Sequence, residues 1–135
     1  MTTTIANVSM ADKVALIDSL CDRARILPVI TIAREQDILT LADALAAGGL
    51  TALEVTLRSS FGLKAIRILR DQRPELVTGA GTVLDRHMLA AAEEAGSQFI
   101  VTPGITRDLL QASVASDIPL LPGISNASGI MEGYG

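Results

Sequence analysis

Short β-branched runs alternate along this chain with stretches whose apolar residues recur at helical period. The pattern predicts strands at Leu27–Ile32, Ala52–Leu57, Leu76–Ala80, Gln98–Thr102 and Leu120–Leu121. Between and after them it predicts helices near Asp37–Ala47, Phe61–Gln72, Arg86–Ala95, Arg107–Ala115 and Ala127–Tyr134. Strand starts recur about every 21 to 25 residues, a short βα repeat of the kind found in compact barrels. One further helix leads the pattern. Ser9-Met10-Ala11-Asp12 reads as a capping box, with Val14, Ile17 and Leu20 on one helical face and an end near Arg25. The chain therefore divides into an N-terminal helical extension, 1–25, and a repeating portion, 26–135.

The repeat is visible in letters as well as rhythm. Ala47-Gly48-Gly49 before Leu53-Glu54-Val55-Thr56 resembles Ala95-Gly96-Ser97 before Ile100-Val101-Thr102. Pro103-Gly104-Ile105-Thr106 returns as Pro122-Gly123-Ile124-Ser125. Gly48 and Gly96 stand where a helix would end in a left-handed residue, the motif glycines allow tight turns, and Thr106 and Ser125 are placed to cap the next helix.

Five βα units fit either an open sheet of flavodoxin-like size or part of a barrel. Side-chain parity separates them. On the second strand Ala52, Glu54, Thr56 and Arg58 share one face, and Leu53, Val55 and Leu57 share the other. A central strand of a doubly covered sheet is apolar on both faces. A face carrying Glu, Thr and Arg suits a barrel lumen, where polar groups project near the C-terminal mouth. The expected fold is α/β: a (β/α)8 TIM-barrel type, truncated after about five βα units, with a leading N-terminal helix.

Composition narrows the function classes. The chain has 135 residues, enough for one domain, with aromatics at 2% and no Trp, so its core must be aliphatic. A formal net charge of −4 and scattered basic residues argue against nucleic acid as a partner. The run from Leu27 to Ala33 is far too short for a membrane span. The N-terminal MTTTIANVSM has no basic n-region and no continuous apolar core, so no signal peptide is expected. The single Cys21, expected in the core or half-buried, cannot form an internal disulfide. A soluble, cytoplasmic protein is the expectation.

Chemistry points first to Glu54, a carboxylate flanked by apolar residues on a strand expected to be covered. Such a charge is costly without a partner or a task. Arg58 lies on the same face about 13 Å further along an extended strand, too far for a simple pair, though a bend at Arg58–Ser60 would bring it over the mouth. There it could grip a carboxylate with two hydrogen bonds. Gly79-Ala80-Gly81-Thr82 ends the third strand, where small residues admit a ligand and the Thr82 hydroxyl can donate to an anion. It is not a P-loop. His87 falls in a first helical turn and is expected to be exposed, and no residue spacing suggests a metal site. The two lysines, Lys13 and Lys64, are both expected on the solvated outer surface, where neither meets the needs of a Schiff-base amine.

Five ordered motifs are similar to one family. They are Pro28-Val29-Ile30, Ala47-Gly48-Gly49, Leu53-Glu54-Val55-Thr56-Leu57-Arg58, Gly79-Ala80-Gly81-Thr82-Val83 and Pro119-Leu120-Leu121-Pro122-Gly123-Ile124-Ser125. From about Ile26 onward the chain resembles the bacterial 2-keto-3-deoxy-6-phosphogluconate (KDPG) and 4-hydroxy-2-oxoglutarate (KHG) aldolases. The resemblance implies a metal-free and cofactor-free class I aldolase. It would cleave KDPG to pyruvate and glyceraldehyde 3-phosphate in the Entner–Doudoroff pathway, and also act on 4-hydroxy-2-oxoglutarate. It implies Glu54 as general acid–base, and Arg58 and Thr82 as ligands of the pyruvate carboxylate of a keto-acid substrate. It implies a homotrimer for the full-length protein. The family's Schiff-base lysine, on a sixth strand, has no counterpart in these residues, so the chain alone is expected to be inactive. Its alternatives are a non-catalytic half-barrel that binds small carboxylates or assembles with another half, and another sugar-phosphate barrel enzyme.

Overall fold

The computed structural model describes residues 8–134, so the reading of residues 1–7 as free of a leader lies outside the described residues. Ser9 caps α1 (Met10–Arg23) through the expected reciprocal box: its hydroxyl accepts from the Asp12 amide, and the Asp12 carboxylate accepts from the Ser9 amide. The repeats follow as β1 (Val29–Ile30), α2 (Ile38–Ala47), β2 (Ala52–Thr56), α3 (Gly62–Gln72), β3 (Val77–Gly81), α4 (Arg86–Glu94), β4 (Ile100–Thr102), α5 (Arg107–Ala115), β5 (Leu120–Pro122) and α6 (Ala127–Tyr134). A 3₁₀ turn at Glu35–Asp37 leads into α2.

All five strands are parallel, in the order β1-β2-β3-β4-β5. A flavodoxin-like sheet would place β1 between β2 and β3. Unbroken sequential order is the winding of a (β/α)8 barrel, of which these residues build five units. β1 is shorter than its apolar run because Pro28 has no amide to give to a ladder. The Pro28 carbonyl still takes part, accepting from the Glu54 amide at 2.9 Å.

The two sheet faces bury different things. Leu53 and Val55 of β2, Ala80 of β3 and Ile100 of β4 join the apolar stripes of α2 to α5 in the main core. That stripe includes Ile38 and Ala42 of α2, Ala65, Ile66 and Leu69 of α3, Leu89 and Ala92 of α4, and Leu109 of α5. On the opposite face a smaller cluster joins Ala52 and Phe99 to Leu20 of α1, with Ile17, Val77, Val101 and Leu121 packed around it. The leading helix thus closes the floor of the inner face. At about 25 cal/mol per Å² of apolar area, this is the contact that holds α1 in place.

Three local expectations are corrected. The docked face of α1 runs through Lys13, Ile17 and Leu20, leaving Val14 more than half exposed. Gly49, not Gly48, takes the left-handed conformation after α2, and Gly96 does so after α4. Asn126, not Ser125, caps α6, its side-chain oxygen accepting from the Gly129 amide at 2.9 Å. Gly123 is required by crowding: a Cβ there would meet the Thr102 carbonyl oxygen at 2.8 Å and collide with the Pro103 carbonyl.

Candidate active site

β2 sets the site. Leu53 and Val55 are locked into the helix-facing core, so strand alternation sends Glu54 to the inner face. There β3 lies alongside, with Glu54 opposite Gly79 and Thr56 opposite Gly81. The Glu54 side chain leans across onto Gly81. A Cβ on Gly81 would stand 2.8 Å from Glu54 Cγ and 2.6 Å from Cδ, and would overlap Oε1. A Cβ on Gly79 would run into the Phe99 ring. Neither glycine has a positive φ. The pair therefore serves close approach: one position receives a carboxyl group, the other an aromatic ring.

Burial and charge then act on Glu54 together. It is only 7% exposed, and its carboxylate makes no hydrogen bond or ion pair among the described residues. Loss of solvation pushes its pKa above the ordinary carboxylate value, and the Arg58 guanidinium partly offsets the rise. Arg58 is exposed on the turn that follows β2, so it reaches Glu54 through its field and forms no ion pair with it.

Thr82 follows Gly81 and is half-buried, with a φ of 59°, the only left-handed non-glycine residue among those described. For a β-branched residue this is a true outlier, worth about 1–3 kcal/mol of strain. Two more polar groups share the inner face: the hydroxyls of Thr31 and Thr56 hydrogen-bond at 2.7 Å, bridging the chain just after β1 to β2. Parity along β2 puts Thr56 on this face. Thr31 carries no other signal in the sequence than the same alternation, counted from Val29, which stands opposite Glu54.

Other candidates fall away from this face. His87 is exposed, as expected. Cys21 is exposed too, against the expectation of a core or half-buried position. Lys64 pairs with Glu35 at 2.6 Å on the surface. Lys13 overturns its expectation: it is 5% exposed, and its ammonium donates to the carbonyls of Ser113, at 2.9 Å, and Ser116. Those carbonyls belong to the last turn and cap of α5, where unpaired oxygens and the negative end of the helix dipole welcome a cation. No helix of the described residues is long and apolar enough to cross a membrane, and among them no three His, Cys, Asp or Glu side chains gather as metal ligands.

The chain that carries this buried carboxyl group, exposed arginine and strained threonine is similar to known proteins. Residues 17–135 match the family described as KDPG and KHG aldolase. The chain belongs to that family. The 2-dehydro-3-deoxy-phosphogluconate aldolase of Pseudomonas aeruginosa is 61% identical over 126 residues, which cover 93% of this chain and 57% of the relative. The KHG/KDPG aldolase of Escherichia coli K12 is 43% identical over 116 residues, 86% of this chain and 54% of its own length. Among solved structures, the Zymomonas mobilis ZM4 2-keto-3-deoxy-6-phosphogluconate aldolase, with 3-phosphoglycerate, superposes with a TM-score of 0.85 at 45% identity, covering 93% of this chain and 58% of that one. The Legionella pneumophila KDPG aldolase, with pyruvate captured as a covalent carbinolamine, gives 0.81 at 43% identity, covering 83% and 54%. The chain thus spans a little over half the length of these relatives.

Proposed function

We propose that this chain carries the acid–base and carboxylate-binding portion of a class I KDPG aldolase, acting on a pyruvate-containing keto acid. The observation that carries the reading is the Glu54 carboxyl, buried against Gly81 with its pKa raised. Retro-aldol cleavage needs a group that takes a proton from a substrate hydroxyl and later returns one to carbon. Such a group works best when its pKa is moved toward the working pH. Burial does this for Glu54, and Arg58 tempers the shift.

Arg58 and Thr82 hold the substrate carboxylate in this reading: the guanidinium with two N–H donors, the threonine with its hydroxyl. The amine of a class I aldolase does not come from either lysine of this sequence. Lys13 is committed to α5, and Lys64 is solvated beside Glu35. The capture of pyruvate as a carbinolamine by the Legionella pneumophila relative supports the substrate class.

Incubating the chain with pyruvate and borohydride, followed by intact-mass measurement, tests the assignment. No adduct is expected. An adduct mapped to Lys13 or Lys64 would overturn it. In a chain continued to the length of its relatives, E54Q should lower turnover by about 100-fold or more while pyruvate trapping persists. Equal loss of trapping and turnover would remove the acid–base role.

A further inference from the structure

Glu54 stands opposite Gly79, yet its carboxyl group lies over Gly81, two residues further toward the mouth. Both glycines face inward, since Ala80 between them belongs to the helix-facing core. A side chain at Glu54 thus has two places for its head group, about 7 Å apart along β3. What decides between them comes from β4. Ile100 faces the helix layer with Ala80, so Phe99 before it faces inward. Its ring reaches across β3 and fills the inner side of Gly79, where an added Cβ would collide with three ring carbons. The ring is buried and packs in one cluster with Ala52 of β2 and Leu20 of α1.

Beneath the ring there is space. A cavity of about 210 Å³ is lined by Phe99, Ala52, Val77 and Gln98 and, from α1, by Leu20 and Arg23. The ring separates that cavity from the carboxyl group above it. With a smaller side chain at position 99, the Glu54 head group could drop straight across onto Gly79, toward the cavity and away from Arg58.

We propose that Phe99 is the positioning residue of Glu54: its ring occupies the place over Gly79 and so turns the carboxyl group up onto Gly81, at the mouth. That this aim serves proton transfer rests on the acid–base reading above; the aim itself does not. The charge that senses the aim is Arg58, whose guanidinium lowers the Glu54 pKa against the effect of burial. The strands β1, β3, β4 and β5 carry no charged residue, and Arg23 of α1 stands at the cavity beneath the ring.

The test is the titration of Glu54 in this chain, followed by NMR of glutamate labelled with carbon-13 at its carboxyl carbon and assigned by the signal lost in E54Q. In the parent, R58Q should move the titration upward. In F99A that response should shrink to about half, as expected for a charge about 7 Å farther away. Adding G79A to F99A puts a methyl group where the ring was, and the response should return. F99L stands in for F99A if the larger truncation unfolds the chain. I66V, a change in the helix-facing core, should lower the urea midpoint and leave the response to R58Q unchanged. An undiminished response in the Phe99 variants would overturn the proposal, as would a diminished one that G79A does not restore. Neither result touches the acid–base role of Glu54, which the turnover of E54Q decides separately.

Discussion

Glu54 sits where its charge is disfavoured, and the consequence for stability has a definite sign. Its folded-state pKa is raised, chiefly by burial. The folded state therefore holds the proton more tightly than the unfolded chain, and the stability this brings is complete below the unfolded pKa and lost as pH rises through the folded one. E54Q is uncharged at every pH, so it should melt above the parent at neutral pH. The difference should shrink toward zero by about pH 4. A thermal-melt series from pH 4 to 8 checks this, and a constant difference would place the cause outside ionisation. Thr82 offers a second trade. T82G should raise unfolding stability by about 1 kcal/mol by releasing the left-handed strain, whereas T82V should leave it nearly unchanged. Both should weaken pyruvate binding in a chain competent to bind it. Parity made the inward aim of Glu54 legible in the sequence. It could not show that the Glu54 carboxyl itself fills the place opened by Gly81, nor that Thr82 is left-handed, because β-branched residues ordinarily mark extended backbone.

Between elements, the register of β2 against β3 turns two glycines into requirements. G81A should cost about 1–3 kcal/mol through overpacking on Glu54, and the E54A background should remove most of that cost. A double-mutant cycle by urea unfolding measures the coupling, and additive losses would mean that the two side chains do not compete for one place. The leading helix poses the other test at this scale. Lys13 holds the end of α5, and K13M should destabilise the fold by about 1–3 kcal/mol by orphaning two carbonyls, with faster amide exchange in α1. The existence and limits of the helices were legible because capping residues and apolar stripes are local signals. The burial of Lys13 is not legible in the sequence, because helical periodicity cannot say that an apolar stripe will be joined by a lysine whose partners, Ser113 and Ser116, lie about a hundred residues away.

For the whole molecule, winding was legible and closure is the open physical issue. Regular strand spacing and the polar inner face of β2 pointed to a barrel, and the sequential parallel order agrees. Yet β1 and β5 stand at the ends of the described sheet, each with one strand neighbour. Val29 on β1 is 58% exposed, and Met10, Val14 and Val114 leave apolar surface on α1 and α5 beside the β5 side. Open parallel edges with apolar flanks invite pairing with another chain. The 135-residue chain should therefore associate, and its melting should depend on protein concentration, as sedimentation and circular dichroism over a 50-fold range would show. Lys or Glu at position 29 should weaken that association more than the same change at exposed Leu84, which lies beyond the end of β3, if the β1 edge is the contact. A monomer with one cooperative, concentration-independent transition would mean instead that the floor packing of α1 and the helix-facing core suffice for five units to stand alone. The edges would then be protected by their shortness, two residues in β1 and three in β5, which offers a partner too few amides to bind.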